Sequence, residues 1–171
     1  MAEKASKKAY ELGKKYEKAY MGCSQCVIAA LQDTLDIRND DIFKAATGLA
    51  AGGGACTDGS CGAYAGAIMV LSSLLGRERD NFADPDGIRL RTSELVRKFH
   101  HKYIQEYGSV VCRNVQTKVL GRPYYLADPD ERQKFEDAGG HDDAHCPEVV
   151  GKAARWMTEL ILEEKLLNQY K

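Results

Sequence analysis

Apolar residues recur at spacings of three and four along nearly the whole chain, and no run alternates apolar and polar positions as a half-buried strand would. The first such pattern covers about Lys4 to Tyr20, with Ala9, Leu12, Tyr16 and Ala19 as its stripe and lysine pairs on the other side. A second runs from about Cys23 to Asp36 on Val27, Ala30, Leu31 and Leu35. A third, shorter helix is expected from roughly Asp41 to Ala50. Gly52-Gly53-Gly54 stops it, because glycine tolerates left-handed geometry.

Ser60 is placed to cap a fourth helix from about Cys61 to Leu75, striped by Cys61, Tyr64, Ala65, Ile68, Leu71 and Leu75. After the turn Asp84-Pro85-Asp86-Gly87, a long helix is predicted from about Ile88 to Tyr107. Leu95, Phe99, Tyr103 and Tyr107 lie on one of its sides, and Gly108 ends it. Ser109 is a candidate cap for a short helix through Cys112, Val115 and Val119, which stops at Gly121-Arg122-Pro123. The polar stretch Asp128 to Ala144 accommodates one or two helical turns. The last helix starts at Cys146-Pro147 and runs to about Leu167, with proline at a position whose N–H would go unbonded anyway. The pattern therefore predicts an all-α fold, a single-domain bundle of about six helices over residues 1–171.

Length and charge narrow the reading. A chain of 171 residues buries roughly 70 % of its unfolded surface and needs no covalent staples to fold. The net charge is −1, which gives no electrostatic reason to expect nucleic acid or an anionic membrane as a partner. No stretch reaches the roughly 18 uninterrupted apolar residues of a membrane span. The opening Met-Ala-Glu-Lys-Ala-Ser-Lys-Lys lacks the apolar run of a secretory signal, so a cytoplasmic location is expected, where thiols stay reduced.

Against that background the six cysteines, Cys23, Cys26, Cys56, Cys61, Cys112 and Cys146, are the chemically loaded feature. Cys23, Cys61, Cys112 and Cys146 each sit at or near a predicted helix N-terminus and each begin the apolar stripe of that helix. Each should face inward at the positive end of a helix dipole, where unpaired N–H groups favour a thiolate and lower its pKa from about 8.5. Four such ends converging on one site would suit an anionic metal–sulfur cluster, whose usual complement is four cysteine thiolates. Cys23 and Cys26 form a C-x-x-C pair on one helical face, readable as a redox dithiol, as two ligands of one metal, or as a ligand with a bystander. Cys56 and Cys61 share a glycine-rich loop able to wrap closely round a cofactor.

These residues resemble the redox-active family named for its cysteine pattern, C_GCAxxG_C_C. Met21-Gly22-Cys23-Ser24-Gln25-Cys26-Val27 is similar to the family's first cysteine segment. Gly52-Gly53-Gly54 with Ser60-Cys61-Gly62-Ala63-Tyr64-Ala65-Gly66 resembles the central motif, although the order here is Cys-Gly-Ala rather than Gly-Cys-Ala. Cys112 resembles the third cysteine, and Cys146-Pro147-Glu148-Val149-Val150 the fourth segment; Cys26 and Cys56 fall outside the pattern. The resemblance, which extends to the C-terminal region of split-Soret cytochromes, implies helices, a redox role and an iron–sulfur centre.

Other chemistry is weaker. His141, Asp142, Asp143 and His145 precede Cys146 and could ligate zinc, but a solvated polar loop is the better reading. His100 and His101 read as structural. The Gly52-to-Gly59 run lacks the Lys-Ser/Thr of a phosphate-binding loop, and the carboxylates are scattered as on solvated helix faces. The leading expectation is an iron–sulfur redox protein with Cys23, Cys61, Cys112 and Cys146 as ligands, and Cys26 and Cys56 as additional candidates. The alternatives are metal-free thiol–disulfide exchange led by Cys23/Cys26, and a structural zinc site. The redox partner protein or small-molecule substrate stays open, and a homodimer is compatible with the reading.

Overall fold

A computed structural model describes residues 2–169. Among these residues there are eight α-helices and no strand: α1 (Ala2–Tyr20), α2 (Cys23–Leu35), α3 (Asp40–Ala45), α4 (Gly62–Leu75), α5 (Ile88–Tyr107), α6 (Cys112–Leu120), α7 (Pro129–Asp137) and α8 (Cys146–Glu163). The all-α expectation holds with eight helices rather than six. Two of the eight are short capped segments: α3 falls within the expected third helix, and α7 within the stretch expected to hold one or two helical turns. Asn39 accepts from the Ile42 N–H at 3.1 Å to start α3, and Asp128 accepts from the amides of Asp130 and Glu131, each at 2.9 Å, to start α7.

The core is built on α1, α2, α4 and α8, which pack on one another, with α5 against α4 and α8. α4 is apolar on most sides and correspondingly buried: Ala63, Tyr64, Ala67, Val70, Leu71, Leu74 and Leu75 all lie in the core. Val27, Ala30 and Leu31 of α2 are fully buried, and the anticipated Leu95, Phe99, Tyr103 and Tyr107 of α5 are buried as well. The α5 aromatics continue into a cluster with Tyr64 and Trp156, in which Tyr64 stacks on Phe99 at 5.4 Å and Tyr103 meets Trp156 edge-on at 5.8 Å.

α1 departs from the expected face. Its buried line is Ser6, Ala9, Gly13 and Glu17, whereas Leu12 and Tyr16 sit on the flank and Ala19 is exposed. The cause is the close crossing of α1 and α8. A Cβ on Gly13 would lie 3.1 Å from the Gly151 Cα, and one on Gly151 would lie 2.9 Å from the Tyr10 carbonyl oxygen. Only a face of small residues lets the two backbones come this near, so the larger apolar side chains move aside and Glu17, one turn on, is carried into the interior.

Two further boundaries differ. The helix expected over Asp41–Ala50 breaks after Ala45 and resumes as a 3₁₀ turn, Thr47–Gly52, containing Ala50 in an extended conformation and Ala51 at φ 50°. The last helix ends at Glu163, followed by a 3₁₀ turn at Leu166–Gln169. Ser60 and Ser109 are not the caps of α4 and α6: Cys61 and Val111 take those positions. Ser60 pairs instead with Val111 in an isolated antiparallel bridge, and the Ser109 hydroxyl accepts from the Val111 N–H at 3.1 Å. No described helix is long and apolar enough to cross a membrane.

Candidate functional site

The four cysteines at predicted helix starts are at observed helix starts. Cys23, Cys112 and Cys146 are the first residues of α2, α6 and α8, and Cys61 is the N-cap of α4. All four line a single cavity of about 80 Å³. Its remaining wall is mostly apolar, from Val115, Leu126, Phe135, Val149 and Val150, with Glu17 and His141 as the ionisable side chains besides the thiols.

Local chain geometry explains the convergence. The loop between the 3₁₀ turn and α4 folds back on itself and is clamped to the start of α6. Gly59 N–H bonds to Gly52 O at 3.0 Å, Cys61 N–H to Val110 O at 2.7 Å, and Cys112 N–H to Gly59 O at 2.9 Å. Gly52, at φ 78°, leaves no room for a side chain: a Cβ would sit 2.8 Å from the Thr57 Cα and 3.0 Å from the Cys112 Cβ. The left-handed Ala51 turns its N–H toward Cys23, 3.5 Å from Sγ. Gly62 is empty because the Cys23 sulfur occupies the space its side chain would take. On the far side, Phe135 packs over Gly140 and meets the His141 ring edge-on at 5.2 Å, which fixes the loop leading to Cys146.

The remaining two cysteines lie elsewhere. Cys26 is buried one turn behind Cys23, its S–H donating to Met21 O at 3.1 Å, and it lines a separate hollow with Tyr20, Met21 and Phe43. Cys56 is half-buried on the loop, its S–H 3.6 Å from Gly54 O. The extended six-cysteine ligand set is therefore not what the cavity presents. The Cys23/Cys26 pair likewise divides between two pockets, because α2 turns Cys26 toward α1. All six cysteines are free thiols.

The expected electrostatics are reversed. Burial pushes the thiols of Cys23, Cys61, Cys112 and Cys146 above their ordinary range, and negative charge on neighbours adds to the effect. Cys61 raises Cys23, Cys112 and Cys146, and Glu17 raises Cys23, Cys61 and Cys146. At Cys61 the amides of Tyr64 and Ala63 and the Tyr103 hydroxyl, 3.8 Å from Sγ, pull the other way without prevailing. A helix end offers about half a charge, and desolvation of a thiolate among other anions exceeds it. Without a cation these four groups are thiols.

Two residues at the site run against the sequence reading. The scatter of carboxylates along the chain puts Glu17 on a solvated helix face, yet it is 3 % exposed. Burial raises its carboxyl above the usual range, with the Cys26 thiol and His141 opposing. The signal for it lies in its register: four residues beyond Gly13 and eight beyond Ala9, on the face of α1 that meets α8. His141 belongs to the cavity wall rather than to a solvated loop, with Nδ1 2.9 Å from Glu136 Oε2 and Nε2 3.8 Å from Glu17 Oε1. His145 turns away, its Nδ1 2.7 Å from Gly139 O, and His100 pairs with the Tyr64 hydroxyl at 3.2 Å.

Among the described residues, no three or more His, Cys, Asp or Glu side chains are grouped as a single metal ion requires. Four thiols on one cavity supply soft sulfur donors in the number that an iron–sulfur group takes.

Helical ends delivering four thiols to one cavity define a cysteine-centred all-helical protein. Comparison with known families agrees: residues 21–160 match the family described as "Putative redox-active protein (C_GCAxxG_C_C)". The chain belongs to that family, and membership supports a redox role. No curated protein and no solved structure matches the chain significantly.

Proposed function

We propose that this chain is an iron–sulfur protein of the cytoplasm, which uses a cluster held by Cys23, Cys61, Cys112 and Cys146 to carry electrons to a redox partner. The observation that carries the reading is that these four thiols, from four separate helix starts, line one cavity. When bound, such a cluster supplies a one-electron couple, which protein side chains alone do not offer at moderate potentials.

The chain's own residues hold and tune the site. Four thiols that burial keeps protonated become thiolates only when a cation replaces their protons, so cluster binding and thiol deprotonation are one event. The Ala51 N–H and the Tyr103 hydroxyl, at 3.5 and 3.8 Å from Cys23 Sγ and Cys61 Sγ, are donors to sulfur of the kind that set a cluster's potential. Val115, Leu126, Phe135, Val149 and Val150 limit the access of water.

Serine replacement of each cysteine in turn tests the assignment. After anaerobic reconstitution, variants at Cys23, Cys61, Cys112 and Cys146 should lose most bound iron and sulfide, whereas Cys26→Ser and Cys56→Ser should retain them. Equal retention in all six would exclude the cavity as the site.

A further inference from the structure

The side chain of Glu17 is buried in the interior, beside the Cys26 thiol and His141. Its Oε2 atom is fully enclosed and has no hydrogen-bond partner, although the residue is 3 % exposed. Leaving a carboxylate oxygen unpaired in an apolar interior is costly, and such an atom calls for an ion or group that completes it. Oε1 lies 3.8 Å from His141 Nε2, beyond hydrogen-bond distance, and His141 is anchored on its far side by Glu136. Glu17 lines the same cavity as the four thiols. The close crossing at Gly13 and Gly151 buries the face of α1 on which Glu17 lies.

We propose that Glu17 is an oxygen ligand to the metal–sulfur group in this cavity, binding through Oε2 while His141 positions Oε1. This rests on the iron–sulfur reading above. Four thiolates already complete a [2Fe–2S] or [4Fe–4S] cluster, so a fifth protein donor makes one iron different from the rest. Bound there, Glu17 would give that iron a harder, carboxylate donor than the thiolates. His141 acts as a positioning residue in the manner of an outer-shell partner: its Nδ1 is held by a carboxylate, and its Nε2 is directed at the ligand.

The test is ⁵⁷Fe Mössbauer spectroscopy of the reconstituted full chain, wild type and Glu17→Gln, with iron and sulfide measured on the same samples. The wild type should show one iron with a raised isomer shift beside iron in an all-sulfur environment. Glu17→Gln should keep its iron and sulfide content while that distinct site is lost or shifted. Superimposable spectra at equal loading would overturn the proposal and leave the four-thiol reading intact. Should Glu17→Gln fail to fold, the wild-type spectrum decides alone, since iron in a uniform four-sulfur environment rules out the carboxylate. A wild type that takes up no iron and sulfide would remove both readings together.

Discussion

Gly62→Ala is the substitution that most sharply separates the packing of this site from ordinary helix preference. Gly62 opens α4 in a helical conformation, where alanine is intrinsically favoured by up to about 1 kcal/mol. Here the added Cβ would run into Cys23 Sγ and lie 3.0 Å from Ser24 N and 3.2 Å from the Ala50 Cα. Two of those three neighbours are backbone atoms on different segments, so the chain cannot absorb the methyl by a rotamer change. Overpacking of this kind costs about 1–3 kcal/mol, which outweighs the helix preference. For a chain of 171 residues, each kcal/mol is worth roughly 2–4 °C, so the metal-free variant should melt several degrees below wild type. Its iron loading should also fall, because the atom that must move is the sulfur. Gly48→Ala is the control: nothing lies within 4 Å of a Cβ there, and its melting temperature should stay near or above wild type. Thermal unfolding followed by circular dichroism, with iron analysis on the same preparations, reads both effects. If Gly62→Ala matched Gly48→Ala in melting temperature and iron content, the close approach of α4 to Cys23 would be wrong.

Gly151→Ala should destabilise the metal-free chain by about 1–3 kcal/mol in denaturant titration, because its Cβ would press 2.9 Å from the Tyr10 carbonyl oxygen; an unchanged midpoint would argue against the α1–α8 crossing. Native metal-free protein treated with an aromatic disulfide reagent should show one fast thiol per chain, absent in Cys56→Ser, since Cys56 alone lies on the loop outside both pockets. Fast reaction persisting in Cys56→Ser would mean that the cavity is open. Tyr16 donates to Asp33 Oδ2 at 2.6 Å, and that carboxylate pushes its phenol up to about 12. The folded state thus keeps a proton that the unfolded state releases near pH 10, so this contribution is complete below pH 10 and lost as pH rises through about 12. The ultraviolet difference titration between wild type and Tyr16→Phe should show a tyrosine midpoint near 12; one near 10 would break the pairing.

Local chemistry made much of this architecture readable from the chain. Gly108 and Gly121 end α5 and α6 in left-handed conformations, as their positions suggested, and Pro147 opens α8. The same punctuation placed Cys23, Cys61, Cys112 and Cys146 at helix starts, which is why the sulfur site could be anticipated before its geometry was known. What stayed hidden depends on contacts between distant segments. The inward face of α1 is set by glycines at positions 13 and 151, far apart in sequence, and against them the apolar stripe of Leu12 and Tyr16 misleads by one position. Glu17 followed that error outward. The break at Ala50–Ala51 has no proline to announce it and is fixed by the clamp between Gly52, Gly59 and Cys112. The thiol pKa shifts have the opposite sign to the helix-end argument, because that argument ignores burial and the neighbouring anions.

The central claim, that four converging thiols hold an iron–sulfur centre, is tested most directly by iron and acid-labile sulfide analysis of anaerobically prepared wild-type protein with its absorption spectrum. The account predicts a brown protein with iron and sulfide in comparable amounts and visible bands that bleach on reduction. Colourless protein, free of iron and sulfide after anaerobic preparation and reconstitution, would contradict it. Should that protein bind zinc, or cycle between thiol and disulfide, chemistry would remain with the same cysteines but not with a cluster.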